Sequence, residues 1–279
     1  MNRSRFSLPQ WISKMLPAAV RQPRIGLVLG GGGARGFAHV GVIKVLESQG
    51  ITPDIVVGTS VGSAVGALYA AGHTGLQLQE ISLPMERASV SAWAVPNRGF
   101  MSGEPLEQFI NRMVKQQPIE RFQRTFAAVA ADLETGEEVV FRTGNAGQAV
   151  RASCAVPGIF QPMEMKGRSY VDGCLVKPVA VSVARAMGAD VVIAVNISNV
   201  PANNQTESIL GVLMQTFDIM SCSINRYELQ QADVVISPVT REIDQTNLDD
   251  KHWAILEGEK AATAALSEIK ARLKSFGEK

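Results

Sequence analysis

The chain is short of the side chains that most often carry chemistry on their own, with three histidines and three cysteines among 279 residues. Cys154, Cys174 and Cys222 cannot all pair within the chain, and their spacing fits no zinc site. No disulfide framework or metal site is expected, and a reducing compartment is the simplest setting. No apolar run approaches the roughly 20 residues needed to cross a bilayer. The N-terminus also lacks the apolar stretch and small-residue cleavage site of a signal peptide, so the expectation is a soluble, cytoplasmic protein. A dominant charge is missing too. The net charge is +1, and residues 1–24 carry Arg3, Arg5, Lys14, Arg21 and Arg24 without an acid, which leaves residues 25–279 at −4. A mildly acidic body argues against a nucleic-acid surface.

What is present is apolar side chain, 46% of the residues, enough to bury the core of one large domain. Ahead of it, Phe6, Leu8, Trp11, Ile12, Met15 and Leu16 fall at near-helical spacing among the basic residues, and Pro9 and Pro17 limit any helix to about two turns. Residues 1–22 are expected either to pack on the domain as a short arm or to make a peripheral contact with an anionic membrane at its inner face.

From Ile25 onward, short β-branched runs alternate with helix-length segments. Ile25 to Leu29 precedes Phe37 to Ser48, and Ile55 to Val57 precedes Val61 to Ala71. The pattern continues through Phe126 to Ala131, Glu138 to Arg142, Pro178 to Met187, Asp190 to Ile197 and Val234 to Ile236, with a helical tail from about His252 to Lys274. This succession predicts an α/β fold with a mostly parallel sheet covered on both faces. Turn chemistry from Asp132 to Glu137 predicts one antiparallel hairpin within it. Residues 73–105 are irregular and apolar, and are expected to form a wall or lid over a site, or a surface excursion. The segment Ile209 to Leu229, with Leu213, Met214, Phe217, Ile219 and Met220, reads as a helix that covers a core or a partner, with the buried use favoured.

Two glycine-framed turns carry the chemistry. Gly30-Gly31-Gly32-Gly33-Ala34-Arg35-Gly36 follows the first strand and can offer backbone N–H groups to an anion. Gly58-Thr59-Ser60-Val61-Gly62 follows the second and can hold a serine hydroxyl on a sharp strand-to-helix turn. The first run also fits a dinucleotide fingerprint, but that reading needs an acid at the end of the second strand. Asp54 precedes that strand instead of ending it. An oxyanion hole beside Ser60 fits better.

A serine needs a base. His252 reads as part of an exposed helix start after Asp249 and Asp250, and His39 and His73 as packed or surface residues. Asp172 ends a strand-like run and is followed by Gly173, which permits a tight turn; it stands as a candidate base or simply as a turn-forming aspartate. An aspartate of ordinary pKa, about 3.9, is a feeble base, so the role requires desolvation and a direct bond to the serine.

These residues resemble the patatin-like phospholipase family, in particular its small bacterial members of the neuropathy-target-esterase type. The glycine run is similar to the family's oxyanion loop, Gly58 to Gly62 to its nucleophile elbow, and Asp172-Gly173 to its aspartate motif. The stretch Ala152 to Pro162 is similar to a segment that precedes the aspartate. The resemblance implies a three-layer α/β/α fold, no cofactor, no metal, and hydrolysis of lipid acyl esters by a Ser-Asp dyad without histidine. Ser60 would be the nucleophile and Asp172 the base. The amides of Gly31, Gly32 and Gly33 would form the oxyanion hole, with Arg35 supporting the loop. Residues 25–200 would be the catalytic core, with 1–24 a basic arm and 201–279 completing the same domain. Cys174 departs from the family's usual Gly or Ala after Asp-Gly, and Lys177 stands where Asn is common. Cys174 therefore keeps open a second reading, a patatin-shaped regulatory or interaction protein with weak or lost hydrolase activity.

Overall fold

A computed structural model describes residues 21–85, 92–93, 99–198, 207–241, 243 and 248–277. Most of the basic arm, part of the irregular stretch at 73–105, and residues 199–206 lie outside the described residues.

The strands are β1 (Ile25–Leu29), β2 (Ile55–Thr59), β3 (Ala92–Trp93), β4 (Gly99–Ser102), β5 (Thr125–Asp132) and β6 (Glu138–Phe141). They continue with β7 (Gly158–Phe160), β8 (Met163–Met165), β9 (Arg168–Asp172), β10 (Val191–Val195) and β11 (Val234–Ile236). The helices are α1 (Phe37–Ser48), α2 (Val61–Ala70), α3 (Gly75–Ser82), α4 (Glu104–Met113), α5 (Ala146–Ser153), α6 (Val181–Ala186), α7 (Ile209–Glu228) and α8 (Lys251–Gly277).

The main sheet runs β11-β10-β1-β2-β5-β9-β8, and β6 folds back on β5. β11, β10, β1, β2 and β5 are mutually parallel, while β9 pairs antiparallel with β5 and β8 antiparallel with β9. The parallel strands are buried on both faces, as β-branched runs without alternation require: every residue of β2 and β10 is buried. One face is covered by α1, α2 and α8 and the other by α6. The expected hairpin is β5 and β6, paired from Ala128 with Phe141 to Ala131 with Glu138. β3, β4 and β7 form a second, three-stranded sheet that the alternation pattern did not indicate, because its strands are two to four residues long.

Register places the motifs at one level. β1 and β2 end side by side, with Leu29 opposite Gly58. Thr59 pairs with Val129 on β5, and Asp172 with the next residue, Ala130. Ser60, one step past Thr59, and Asp172 therefore meet across β5 at the level of Ala130.

α7 departs from the favoured expectation of a buried helix. Met214 and Phe217 face inward, but Leu213, Ile219 and Met220 are exposed along with Ile209, Val212 and Tyr227. Apolar composition alone cannot separate a helix inside a core from one that turns its apolar side outward.

Candidate active site

The turn after β2 is strained in the way a nucleophile elbow requires. Ser60 has φ 52° and ψ −130°, a conformation that costs an L-residue on the order of 1–3 kcal/mol. Its neighbours make room for it: a Cβ on Gly58 would strike the Gly62–Ser63 backbone, and one on Gly62 the carbonyl of Leu29. Local bonds hold the strain. The Ser60 amide donates to Ser153 Oγ at 2.8 Å, Ser153 Oγ donates to the Val129 carbonyl at 2.5 Å, and the Ser60 carbonyl accepts from Ser63 N and Oγ. Ser153 was not singled out by sequence. The signal available was its place in the Ala152 to Pro162 stretch.

Ser60 Oγ donates to Asp172 Oδ2 at 2.6 Å, and the other carboxylate oxygen accepts from the Cys174 amide at 2.8 Å. Asp172 is buried, and loss of solvent raises its carboxyl above the usual aspartate range against the lowering effect of those two bonds. A carboxylate raised in this way is a stronger base than an ordinary aspartate. Gly173 follows without a left-handed φ; a side chain there would meet the Val129 carbonyl, so close approach fixes this glycine.

The glycine run is held at its base and open at its tip. Gly30 N donates to Val195 O at 3.1 Å and Gly31 N to Pro178 O at 3.0 Å. The Gly31 amide, expected to face an anion with its neighbours, thus has a partner in the Pro178 carbonyl. Gly31 is required for space, since a Cβ would collide with Cys174 Sγ. The amides of Gly32 and Gly33 donate to no carbonyl among the described residues, both residues line the cavity with Ser60, and Gly33 has φ 58°. Arg35 is buried; its Nε donates to the Ile243 carbonyl at 3.2 Å, and its guanidinium lies 3.7 Å from Asp218 of α7. Those contacts brace the loop from behind.

The histidines lie elsewhere. His252 is exposed on the first turn of α8, and His73 bonds the Met113 carbonyl at 3.1 Å. His39 is fully buried on α1 with Nε2 2.8 Å from the Gly30 carbonyl. Lys177 bonds Ser182 and Glu228, both at 2.7 Å, and so belongs to the packing of α6 against α7. Cys174 and Cys154 both line the cavity, and burial pushes both thiols up, away from thiolate character. Among the described residues no group of three or more His, Cys, Asp or Glu could hold a metal ion.

Ser60, Asp172 and the glycine tip open onto a cavity of about 310 Å³. Its walls are mostly apolar: Ala64, Val65 and Leu68 from α2, Leu78 and Ile81 from α3, Leu106 and Phe109 from α4, and Met214 and Phe217 from α7. Met85 and Met101 also line it, so the described part of the irregular 73–105 stretch forms a wall. The arrangement joins a polarised hydroxyl, a desolvated carboxylate and two open amides at one end of an apolar chamber.

The sequence profile of the patatin-like phospholipases matches residues 27–185. An uncharacterised NTE family protein of Mycobacterium tuberculosis is 36% identical over 194 residues, covering 65% of this chain and 52% of its own length. Lysophospholipase NTE1 of Pyricularia oryzae is 33% identical over 181 residues, covering 63% of this chain and 12% of its own. The chain thus spans about half the length of the mycobacterial relative and a small part of the fungal one. Among solved structures, VipD from Legionella pneumophila has the same fold, with a TM-score of 0.52 at 12% identity over 88% of this chain and 67% of VipD. The chain belongs to the patatin-like phospholipase family.

Proposed function

We propose that the chain is a serine acyl hydrolase that cleaves acyl esters of lipids. The observation that carries the reading is the 2.6 Å bond from Ser60 Oγ to the buried Asp172 carboxylate at one end of an apolar cavity. Relatives bearing the name lysophospholipase support a lysophospholipid or related ester as substrate.

Ser60 Oγ attacks the ester carbonyl as its proton passes to Asp172 Oδ2. Negative charge then develops on the former carbonyl oxygen, and the amides of Gly32 and Gly33 donate to it. On collapse, the C–O bond to the alcohol breaks and the alcohol takes the proton from Asp172. Water adds to the acyl-serine with Asp172 again as base, releasing the acid and restoring the serine. The acyl chain occupies the Leu68, Leu78 and Phe109 side of the cavity, where its burial contributes about 0.8 kcal/mol per methylene.

A fluorophosphonate probe should label the folded protein and fail to label Ser60→Ala. A screen over lysophospholipids, phospholipids and short-chain esters, with Ser60→Ala as control, then identifies the substrate class. Labelling that persists in Ser60→Ala, or absence of labelling in the folded wild type, counts against catalysis at this serine and in favour of the regulatory reading.

A further inference from the structure

α7 turns apolar side chains outward as well as inward. With about 100° between successive residues, Ile209, Val212, Leu213, Ile219, Met220 and Tyr227 share one face. That face is exposed, 85% at Ile209, 52% at Ile219 and 74% at Tyr227. The inward face carries Ser221, Asn225 and Glu228, all buried. The same face carries exposed Thr216 and Ser223, whose hydroxyls donate to the Val212 and Ile219 carbonyls of the helix itself. A mostly apolar face of this kind, about 27 Å long, is more than a monomer in water normally leaves uncovered.

We propose that the outer face of α7 docks on the interfacial layer of a phospholipid surface and delivers lipid from it to Ser60; the delivery step rests on the hydrolase reading above. Continuity with the cavity is the first argument. Met214 and Phe217, on the inner side of the same helix, line the cavity, and Leu213 on the outer side reaches toward the turn at Gly158, whose neighbours Pro157, Ile159 and Phe160 line it too. β4, which carries exposed Phe100, pairs with β7 through Met101 and Phe160. A lipid tail can therefore move from outside to inside over apolar surface.

Charge is the second argument. α7 contains three charged residues, and Asp218 and Glu228 face inward, where Asp218 lines the cavity and Glu228 is buried. Arg226, beside Tyr227 at the end of the stripe, is the exposed one. A single cation and a phenol next to an uncharged apolar band match the phosphate level of a lipid layer above its hydrocarbon. No helix among the described residues is long and apolar enough to cross a membrane. A second copy of the chain seated on this face would cover the route to the cavity.

The test uses the full chain and vesicles of phosphatidylcholine mixed with phosphatidylglycerol. A Val212→Gln, Ile219→Gln, Met220→Gln variant changes side chains outside the cavity and keeps good helix formers. Partitioning is measured on the Ser60→Ala background, so it does not depend on catalysis. The triple variant should bind vesicles at least about tenfold more weakly. With Ser60 restored, it should hydrolyse a water-soluble short-chain ester as the wild type does and lose turnover of vesicle-borne lipid. A photoactivatable phosphatidylcholine should crosslink within residues 209–227 of the unaltered helix, a readout that stands even if the triple variant fails to fold. Equal partitioning of the two proteins overturns the proposal, as do crosslinks confined to other segments or a wild-type dimer that the variant dissociates with vesicle binding unchanged. Failure of the soluble ester to react in the wild type would instead overturn the hydrolase reading and leave the docking result standing.

Discussion

His39 Nε2 lies 2.8 Å from the carbonyl oxygen of Gly30, and the N–H at the other side of that peptide, on Gly31, donates to Pro178 at 3.0 Å. One peptide plane between two glycines is thus fixed at both ends, immediately before the open amides of Gly32 and Gly33. Because a carbonyl only accepts, Nε2 carries the hydrogen, and Nδ1 is left buried with no partner among the described residues. Protonation would place an uncompensated charge there, and burial lowers the His39 pKa from 6.5 to about 4. The folded state therefore binds fewer protons than the unfolded state between these values. The stability linked to neutral His39 is present above pH 6.5 and is lost as pH falls toward 4, by up to about 3 kcal/mol. His39→Gln keeps a donor without a titration, so thermal unfolding followed across that window should be less pH-dependent in the variant. Parallel curves for the two proteins would exclude His39 as the source.

The Asp172 carboxyl titrates in the opposite sense. Desolvation raises its pKa above the ordinary aspartate value of 3.8. In the proposed mechanism the carboxylate form takes the Ser60 proton, so kcat/KM for a soluble ester should rise with pH through a single midpoint above 3.8 and then level off, with no histidine limb. Asp172→Asn should remove the ascending limb and lower kcat by about 10²–10⁴. His252→Ala, a change at an exposed position, should leave the profile intact. If His252→Ala abolished turnover in folded protein while Asp172→Asn did not, a histidine triad would replace the dyad.

Ser153 holds the strained serine from below, accepting the Ser60 amide and donating to the Val129 carbonyl. Ser153→Ala leaves both groups buried without partners, which should cost about 1–3 kcal/mol. The φ 52° turn also loses one of its restraints, so fluorophosphonate labelling of Ser60 should slow even where the protein is folded. A drop in melting temperature with an unchanged labelling rate would show that Ser153 serves packing alone.

How much of this was legible in the sequence follows from how local each signal is. β1, β2 and their glycine turns could be read because β-branched runs and glycine spacing are properties of adjacent residues, and β1 falls on Ile25–Leu29 as expected. Asp172 at the end of β9 could be read as a strand-ending Asp-Gly, although its meeting with Ser60 depends on the β2–β5–β9 register, which joins residues 112 apart. Ser153 and the Pro178 carbonyl were not legible for the same reason: each acts through a partner remote in sequence, and a serine in a helix has no distinguishing pattern. The Gly31 amide looked like its neighbours until Pro178 was seen to occupy it. For α7, periodicity gave the helix but not which side faces water, since its inward face is partly polar.

The contact between Gly31 and Cys174 tests the one departure from the family pattern that touches the site. A Cβ on Gly31 would collide with Cys174 Sγ and approach Ser60 Cβ to 3.1 Å. Gly31→Ala should therefore cost about 1–3 kcal/mol through overpacking and displace the serine, lowering turnover. Cys174→Gly alone removes a small side chain from the cavity wall and should be mild, within about 1 kcal/mol. Combined, the two changes relieve the collision with sulfur and leave the tight approach to Ser60. The double variant should then recover most of the stability lost by Gly31→Ala and only part of the activity, a coupling of about 0.5–3 kcal/mol in a double-mutant cycle. Additive losses would mean that the thiol does not press on the glycine loop, and that Cys174 occupies the Gly or Ala position without consequence for the site.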